Sequence, residues 1–280
     1  MAAPAVNVDA MGAALWEAAN EGATAEARRL LDAGAPCDWK HAAADDDTAL
    51  VRAAAGGHTD TVELLLDRGA DLEAKDHYGS TALVRAAAGG HKDMVELLAD
   101  RGADLEARSL HGDTALIGAV RCGYKEMVEL LADSGANLEA KNRHGSTVLI
   151  GALRCGCKEM VELLLDRGAS LEAKDRNGNT ALVRAAAGGH TDMVELLLDR
   201  GADLEAKNRF GATALIAAAT KGHVEAVKLL LDRGADVEAK NAAGSDALVL
   251  CTRARCTEVL RSSERLQRWH RRNILAMWAH

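Results

Sequence analysis

The eleven residues TALVRAAAGGH occur three times without a change, at Thr48–His58, Thr81–His91 and Thr180–His190. Between the last two copies the same slot reads TALIGAVRCGY and then TVLIGALRCGC. The threonine that opens each slot recurs every 33 residues, at Thr48, Thr81, Thr114, Thr147, Thr180 and Thr213. A fixed period between about 20 and 50 residues indicates stacked supersecondary units, none of which buries its apolar face alone. The repeat therefore predicts one continuous solenoid.

The unit that starts at Thr81 has the pattern helix, turn, helix, hairpin. Its threonine hydroxyl is suited to capping a short alanine-rich helix, which two glycines at Gly89 and Gly90 end. From Lys92 a second helix has apolar and charged side chains at helical spacing. Gly102 suits the residue after that helix, where a left-handed conformation costs glycine little. Between units, stretches such as ADLEAKDHYG at residues 70–79 are predicted to run extended and turn back at their glycine.

The segment DHYGSTALVRAAAGGHKDMVELLADRGADLEA, at residues 76–107, resembles an ankyrin repeat. That family has a 33-residue period and a Thr-Pro-Leu-His-x-Ala signature, with Ala82 here at the proline position and Val84 at the histidine position. The resemblance covers roughly residues 11–256. It implies an all-α repeat solenoid of stacked helix-turn-helix ankyrin repeats with β-hairpin loops. It also implies that the first helices of the repeats line a concave groove.

The ends of the chain depart from the period. We predict an N-terminal segment and atypical capping repeat over residues 1–46, with two extra residues in the loop KHAAADDD, and six regular repeats over residues 47–243. Residues 244–280 form a degenerate last repeat, with SSE where interior repeats have LLL, and a basic C-terminal helix. That helix either caps the stack or, because it carries tryptophan among arginines, binds a membrane surface or a regulatory protein.

The composition limits the class of protein. Its 280 residues include only four Trp, two Tyr and one Phe, so small aliphatic side chains must fill the core. No stretch approaches the roughly 18 consecutive apolar residues of a transmembrane segment, and the start lacks the pattern of a secretory signal. Six cysteines without a disulfide framework fit a reducing compartment. We therefore expect a protein of the cytoplasm or nucleus.

Arginines on the first helices are the first candidate site. Counted from the threonine, Arg is the fifth residue in three repeats and the eighth in two others, and positions three apart share one helix face. With the resemblance, this pattern predicts a row of groove cations: Arg52, Arg85, Arg121, Arg154 and Arg184, extended by Lys221. The formal net charge of −8 disfavours nucleic acid, so we expect a protein partner with an acidic segment. Alternatively, the arginine stems simply cover neighbouring alanines.

The hairpin tips are the second candidate site, because they vary most between repeats while the glycine that follows them does not. Residues free of packing constraints, some of them apolar, are suited to binding a partner. Neutral variation at exposed positions is the alternative. The predicted tip residues are His77, Tyr78, Leu110, His111, Arg143, His144, Arg176, Arg209 and Phe210.

The sequence contains no pattern that predicts a catalytic or metal-binding site. His58, His91, His190 and His223 recur at one repeat position, which is typical of helix-start hydrogen bonding and not of a single catalytic base. The segment CGC at Cys155–Cys157 lacks a second ligand pair, so we predict no metal, cofactor or catalytic residue. The predicted function is a monomeric, non-catalytic scaffold that binds a protein through groove and tips. Alternatively, the repeats are a spacer that presents the basic C-terminal helix.

Overall fold

The computed structural model describes residues 7–42, 46–251 and 253–278, with side chains described as far as Arg268. The described residues form helices in pairs: α1 (Val8–Asn20) and α2 (Thr24–Asp32), α3 (Ala49–Gly56) and α4 (Thr59–Asp67), α5 (Ala82–Gly89) and α6 (Lys92–Asp100), α7 (Ala115–Cys122) and α8 (Lys125–Asp133), α9 (Val148–Cys155) and α10 (Lys158–Asp166), α11 (Ala181–Gly188) and α12 (Thr191–Asp199), α13 (Ala214–Lys221) and α14 (Val224–Asp232), and α15 (Ala247–Leu250) and α16 (Ala254–Trp278). This arrangement confirms the predicted helical repeat fold.

The helices belong to two compact units, residues 1–143 and residues 144–280. In the first unit, the first helices α1, α3, α5 and α7 pack side by side, and each also packs on the second helix of its own repeat. In the second unit, α9, α11, α13 and α15 pack in the same way. Small and aliphatic side chains such as Ala86, Leu83, Met94 and Leu98 are almost fully buried, as the poor aromatic content requires.

The ends of the first helices follow the prediction closely. The hydroxyl of Thr81 accepts a hydrogen bond from the backbone N–H of Val84 at 3.5 Å, and four other repeat threonines cap their helices in the same way. Gly90 ends α5 in the left-handed conformation, with φ of 79°. Thr147 is the exception, because its buried hydroxyl makes no hydrogen bond with any described residue.

The loops between repeats are hairpins closed by few hydrogen bonds. The N–H of Asp76 donates to the carbonyl of Ser80 at 3.1 Å, and the N–H of Gly79 donates back to the carbonyl of Asp76 at 3.0 Å. Within the described residues, β-pairing is limited to an isolated bridge between His41 and Asp47. The hairpins therefore depend on turn geometry and side chains, not on a sheet.

The repeated histidines link successive repeats. His91 precedes α6 but makes no side-chain cap, and its Nε2 donates instead to the carbonyl of Ala55 in the preceding repeat at 3.0 Å. His58 and His223 make the corresponding bonds to Asn20 and Ala187. The predicted helix-start hydrogen bond was therefore wrong, because the imidazole reaches the unsatisfied carbonyls at the end of the neighbouring first helix.

The last repeat and the basic C-terminal segment share one helix, α16, of 25 residues. Cys256 and Leu260 are fully buried near its start. Further along, the side chain of Gln267 donates to the carbonyl of Ala235 at 2.9 Å. These contacts hold the described part of α16 against the preceding repeat. The side chains of the two tryptophans predicted for this helix, Trp269 and Trp278, lie outside the described residues.

Candidate interaction surface

The arginine of α5 pairs with an aspartate of the preceding hairpin. Nε of Arg85 donates to Oδ2 of Asp76 at 2.5 Å, and Nη2 contacts the same oxygen. The other carboxylate oxygen accepts the N–H of Ser80 at 2.8 Å, so Asp76 links the helix to the turn. The Asp76 side chain is fully buried, whereas 32% of the Arg85 side chain is exposed.

The same arrangement recurs in the second unit. Nε of Arg184 donates to Oδ2 of Asp175 at 2.7 Å, and Nη2 contacts the same oxygen. Oδ1 accepts the N–H groups of Asn177 and Asn179 at 2.8 and 2.9 Å. Burial by itself raises the pKa of Asp175, but the hydrogen bonds from Asn179 and Arg184 outweigh it, so the pKa lies below its ordinary value.

The arginine of α7, Arg121, also pairs with an aspartate, although it lies about one turn further along its helix than Arg85 does along α5. Nη1 of Arg121 donates to Oδ2 of Asp113 at 2.5 Å. Asp113 immediately precedes the threonine of its repeat, whereas Asp76 lies five residues before its threonine. Between these two repeats the aspartate therefore changes position along the hairpin together with the arginine on the helix. The repeat of Arg52 does not follow this pattern, because its aspartate, Asp47, also immediately precedes the threonine. Asp76 and Asp113 are both visible in the sequence, but only the arginines were predicted as site residues.

The remaining predicted cations have different surroundings. Arg52 donates through Nε to Oδ1 of Asn20 at 2.8 Å, lies 3.8 Å from Asp47, and stacks over Trp16 with 5.1 Å to the ring centroid. Arg154 and Lys221 have exposed side chains, and Lys221 is the last residue of α13.

In each of these ion pairs the carboxylate is buried and the guanidinium is accessible to solvent. The side chain of Arg121 is 61% exposed and that of Asp113 is 7% exposed; for Arg184 and Asp175 the values are 40% and 1%. A partner therefore meets arginine donors, while the net charge of each pair is zero. The surface consequently favours hydrogen-bond acceptors more than it attracts distant negative charge.

The predicted hairpin-tip residues are all exposed: His77, Tyr78, Leu110, His111, Arg143, His144, Arg176, Arg209 and Phe210. The large apolar residues among them are Tyr78, Leu110 and Phe210, which are 42%, 49% and 63% exposed. Tyr78 also connects the tip to the first helix, because the guanidinium of Arg85 lies over its ring at 5.2 Å from the centroid. The tips and the paired arginines are thus neighbouring parts of one surface within a repeat.

The tip backbones are fixed by hydrogen bonds between repeats. In the first unit the N–H of Leu110 donates to the carbonyl of Tyr78, and in the second the N–H of Ala242 donates to the carbonyl of Phe210 at 2.8 Å. The turn glycines permit this approach: Gly211 has φ of 70°, and a Cβ there would lie 2.7 Å from the backbone N of Ala242. The varied tip side chains therefore project from a fixed backbone.

Metal-ligand clusters and membrane-spanning helices are absent among the described residues. No group of three or more His, Cys, Asp or Glu side chains among them is arranged to hold a metal ion. None of the described helices is long and apolar enough to cross a bilayer. The cysteines at described positions are free thiols.

Comparison with known proteins agrees with the repeat architecture. A family model for ankyrin repeats in three copies matches residues 15–109, 69–142, 105–175, 139–208, 172–241 and 203–262. The serine/threonine-protein kinase 12 of Arabidopsis thaliana is 44% identical over 69 residues, which are 25% of this chain and 15% of that protein. The ankyrin repeat and SAM domain-containing protein 6 of Mus musculus is 44% identical over 63 residues, 22% of this chain and 7% of that protein. The chain thus spans a small part of these curated relatives.

Solved structures provide longer matches. The ankyrin repeat domain of Bcl-3, described as a unique member of the IkappaB protein family, has a TM-score of 0.71 and 33% identity, covering 78% of this chain and 99% of that domain. The human ASB11 ankyrin repeat domain has a TM-score of 0.68 and 28% identity, covering 78% and 98%. Together with the family match over most of its length, these likenesses show that the chain belongs to the ankyrin repeat family.

Proposed function

We propose that this protein is a non-catalytic scaffold that binds a protein partner through the paired arginines of the first helices and the adjacent hairpin tips. Ankyrin repeats are in general protein–protein interaction modules, and the family is typically non-catalytic. The partner segment is rich in hydrogen-bond acceptors, acidic side chains in particular. The scaffold acts as a monomer in the cytoplasm or nucleus.

The observation that carries this proposal is the contrast between backbone and side chains at the tips. Tip backbones are held by hydrogen bonds to the next repeat, while large side chains such as Tyr78, Leu110 and Phe210 remain exposed. A rigid backbone that presents apolar side chains binds without a large ordering cost. Aromatic groups in such positions commonly supply much of the binding energy.

The alternative function assigns partner or membrane binding to the basic C-terminal helix. The buried Leu260 and the hydrogen bond from Gln267 to Ala235 support a capping role for its described part. Arg268 pairs with Glu238 of the preceding repeat at 3.0 Å, so one of its basic residues is already engaged. These contacts favour the groove and tips as the primary binding surface.

Affinity purification coupled to mass spectrometry tests the proposal with two matched variants. The double variant Tyr78→Ala, Phe210→Ala removes exposed rings from the tips, and the double variant Arg261→Gln, Arg265→Gln removes two exposed charges from α16. We expect the first to lose partners that the wild-type chain retains and the second to keep them. Loss with the α16 variant alone would support the alternative function.

A further inference from the structure

A cavity of about 180 Å³ opens where the first helices α5 and α7 meet their hairpins. Its lining includes the apolar side chains of Val84 and Ala88 and the polar side chains of Arg85, His111 and Arg121. The volume far exceeds the roughly 10–15 Å³ that a single water needs. The cavity therefore has room for a side chain from another molecule.

Gly118 creates this space. It occupies the slot in α7 that Arg85 occupies in α5, and a Cβ built on Gly118 would have no heavy atom within 4 Å. The arginine of α7 stands one turn later and is held by Asp113 at 2.5 Å. The exchange of Arg for Gly therefore leaves an opening between two guanidinium groups.

The accessible charge in the cavity is positive. Asp113 lines it but is almost completely buried, whereas Arg121 is largely exposed. Arg85 engages Asp76 through Nε and Nη2, so its Nη1 lies outside that pair. Guanidinium groups bind carboxylates in a planar, directional way, and an apolar lining suits the methylene groups of a short acidic side chain.

We propose that this cavity is a specificity pocket for one acidic side chain, glutamate or aspartate, in an extended segment of the protein partner. The inference rests on the proposed function and narrows it to one anchor position. The carboxylate accepts hydrogen bonds from the guanidinium groups of Arg85 and Arg121, and its methylene groups contact Val84 and Ala88. The exposed ring of Tyr78, which also lines the cavity, closes one side of the bound residue.

The test is selection of a phage-displayed random peptide library on the full chain, followed by affinity measurement with synthetic peptides. The key variant is Gly118→Leu, which fills the cavity without meeting a neighbour at Cβ. Gly118→Ala fills less of the cavity and also raises the helix propensity of α7. This second variant keeps the test valid if leucine at this position disturbs the fold. Ala217→Leu is the matched control, because Ala217 holds the same slot in α13.

We expect the selected peptides to share one acidic position and to bind Gly118→Leu at least about tenfold more weakly, with Ala217→Leu unchanged. Replacing the shared acidic residue by its amide produces the same loss. Peptides that bind the chain equally with and without Gly118→Leu overturn the pocket and leave the proposed function standing. If no peptide binds the wild-type chain above background, both the pocket and peptide recognition by the groove are wrong.

Discussion

Oδ2 of Asp175 accepts hydrogen bonds from the guanidinium of Arg184, nine residues later in the chain, and the carboxylate is almost completely buried beneath it. The arginine therefore has two roles, since it neutralises a buried charge and also faces solvent. Removing it would leave a buried carboxylate without its cation, which is costly. The groove arginines are thus parts of the fold as well as candidate binding residues.

The first prediction concerns the stability of this pair. We expect Arg184→Gln to lower the free energy of unfolding by about 1–3 kcal/mol, because Asp175 loses its counterion while it remains buried. Arg154→Gln is the control, since Arg154 is exposed at the end of its helix, and it should change stability by less than about 0.5 kcal/mol. Urea unfolding followed by circular dichroism measures both variants.

The chain itself supplies the compensating change. The repeat that starts at Thr213 has Asn208 at the hairpin position of Asp175 and Ala217 at the helix position of Arg184. Asn208 accepts the N–H of Phe210 and of Ala212 at 2.9 and 3.0 Å, so an asparagine can support the turn. The double variant Asp175→Asn, Arg184→Ala should recover most of the lost stability. A double variant no more stable than Arg184→Gln would contradict a role for the buried charge.

The second prediction is a pH dependence from the same aspartate. Its pKa in the folded state lies below the ordinary value of about 3.9. A lowered folded-state pKa contributes stability above the unfolded pKa and loses it as the pH falls through the folded pKa. We therefore expect the stability advantage of the wild-type chain over Asp175→Asn to be constant near neutral pH and to shrink below about pH 4. Urea midpoints measured between neutral and acidic pH test this, and an advantage that persisted in acid would be inconsistent with the ion pair.

The third prediction compares a turn glycine that has positive φ with a glycine inside a helix. Gly211 has positive φ and lies against the backbone of Ala242, so Gly211→Ala should destabilise the protein by at least about 1–2 kcal/mol. Gly118 lies inside α7 with open space at its Cβ position, so Gly118→Ala should stabilise the protein by about 0.5–1 kcal/mol. Thermal unfolding of the two variants should shift in opposite directions. Equal shifts would mean that the tip backbones are not fixed as described.

The sequence predicted the repeat period, the helix pairs, the threonine caps and the exposure of the tips, because each of these depends on local spacing or on glycine. It predicted the arginines of the first helices but not their partners. Asp76 is separated from Arg85 by a turn and half a helix, and its burial arises only when the hairpin folds back onto α5. The inter-repeat contacts of His91 were missed for the same reason, since the acceptor carbonyl of Ala55 lies 36 residues earlier.

The pairing of arginines with buried aspartates also changes the expected contribution of the groove arginines to binding affinity. Unpaired cations would give an affinity that falls steeply with salt, whereas the guanidinium groups of Arg85, Arg121 and Arg184 each already have a carboxylate beneath them. Replacing Arg85, Arg121, Arg154 and Arg184 together by Gln would therefore lower stability as well as affinity. The tips offer a cleaner test, because their side chains can be shortened without exposing a buried charge.

The fourth prediction is that the tip rings contribute to binding and not to folding. Replacing both Tyr78 and Phe210 by Ala should weaken the partner complex by about 1–4 kcal/mol, the range typical of aromatic hot spots. The melting temperature of the free protein should fall only slightly, because Phe210 is largely exposed and Tyr78 loses only surface contacts such as the stacking with the guanidinium of Arg85. Affinity and melting temperature must be measured on the same preparations, with Val249→Ala as a control at another exposed apolar residue, outside the tips. A Tyr78→Ala, Phe210→Ala protein that melts early yet binds its partner normally would show that the rings serve packing, and the tip surface would then be wrong.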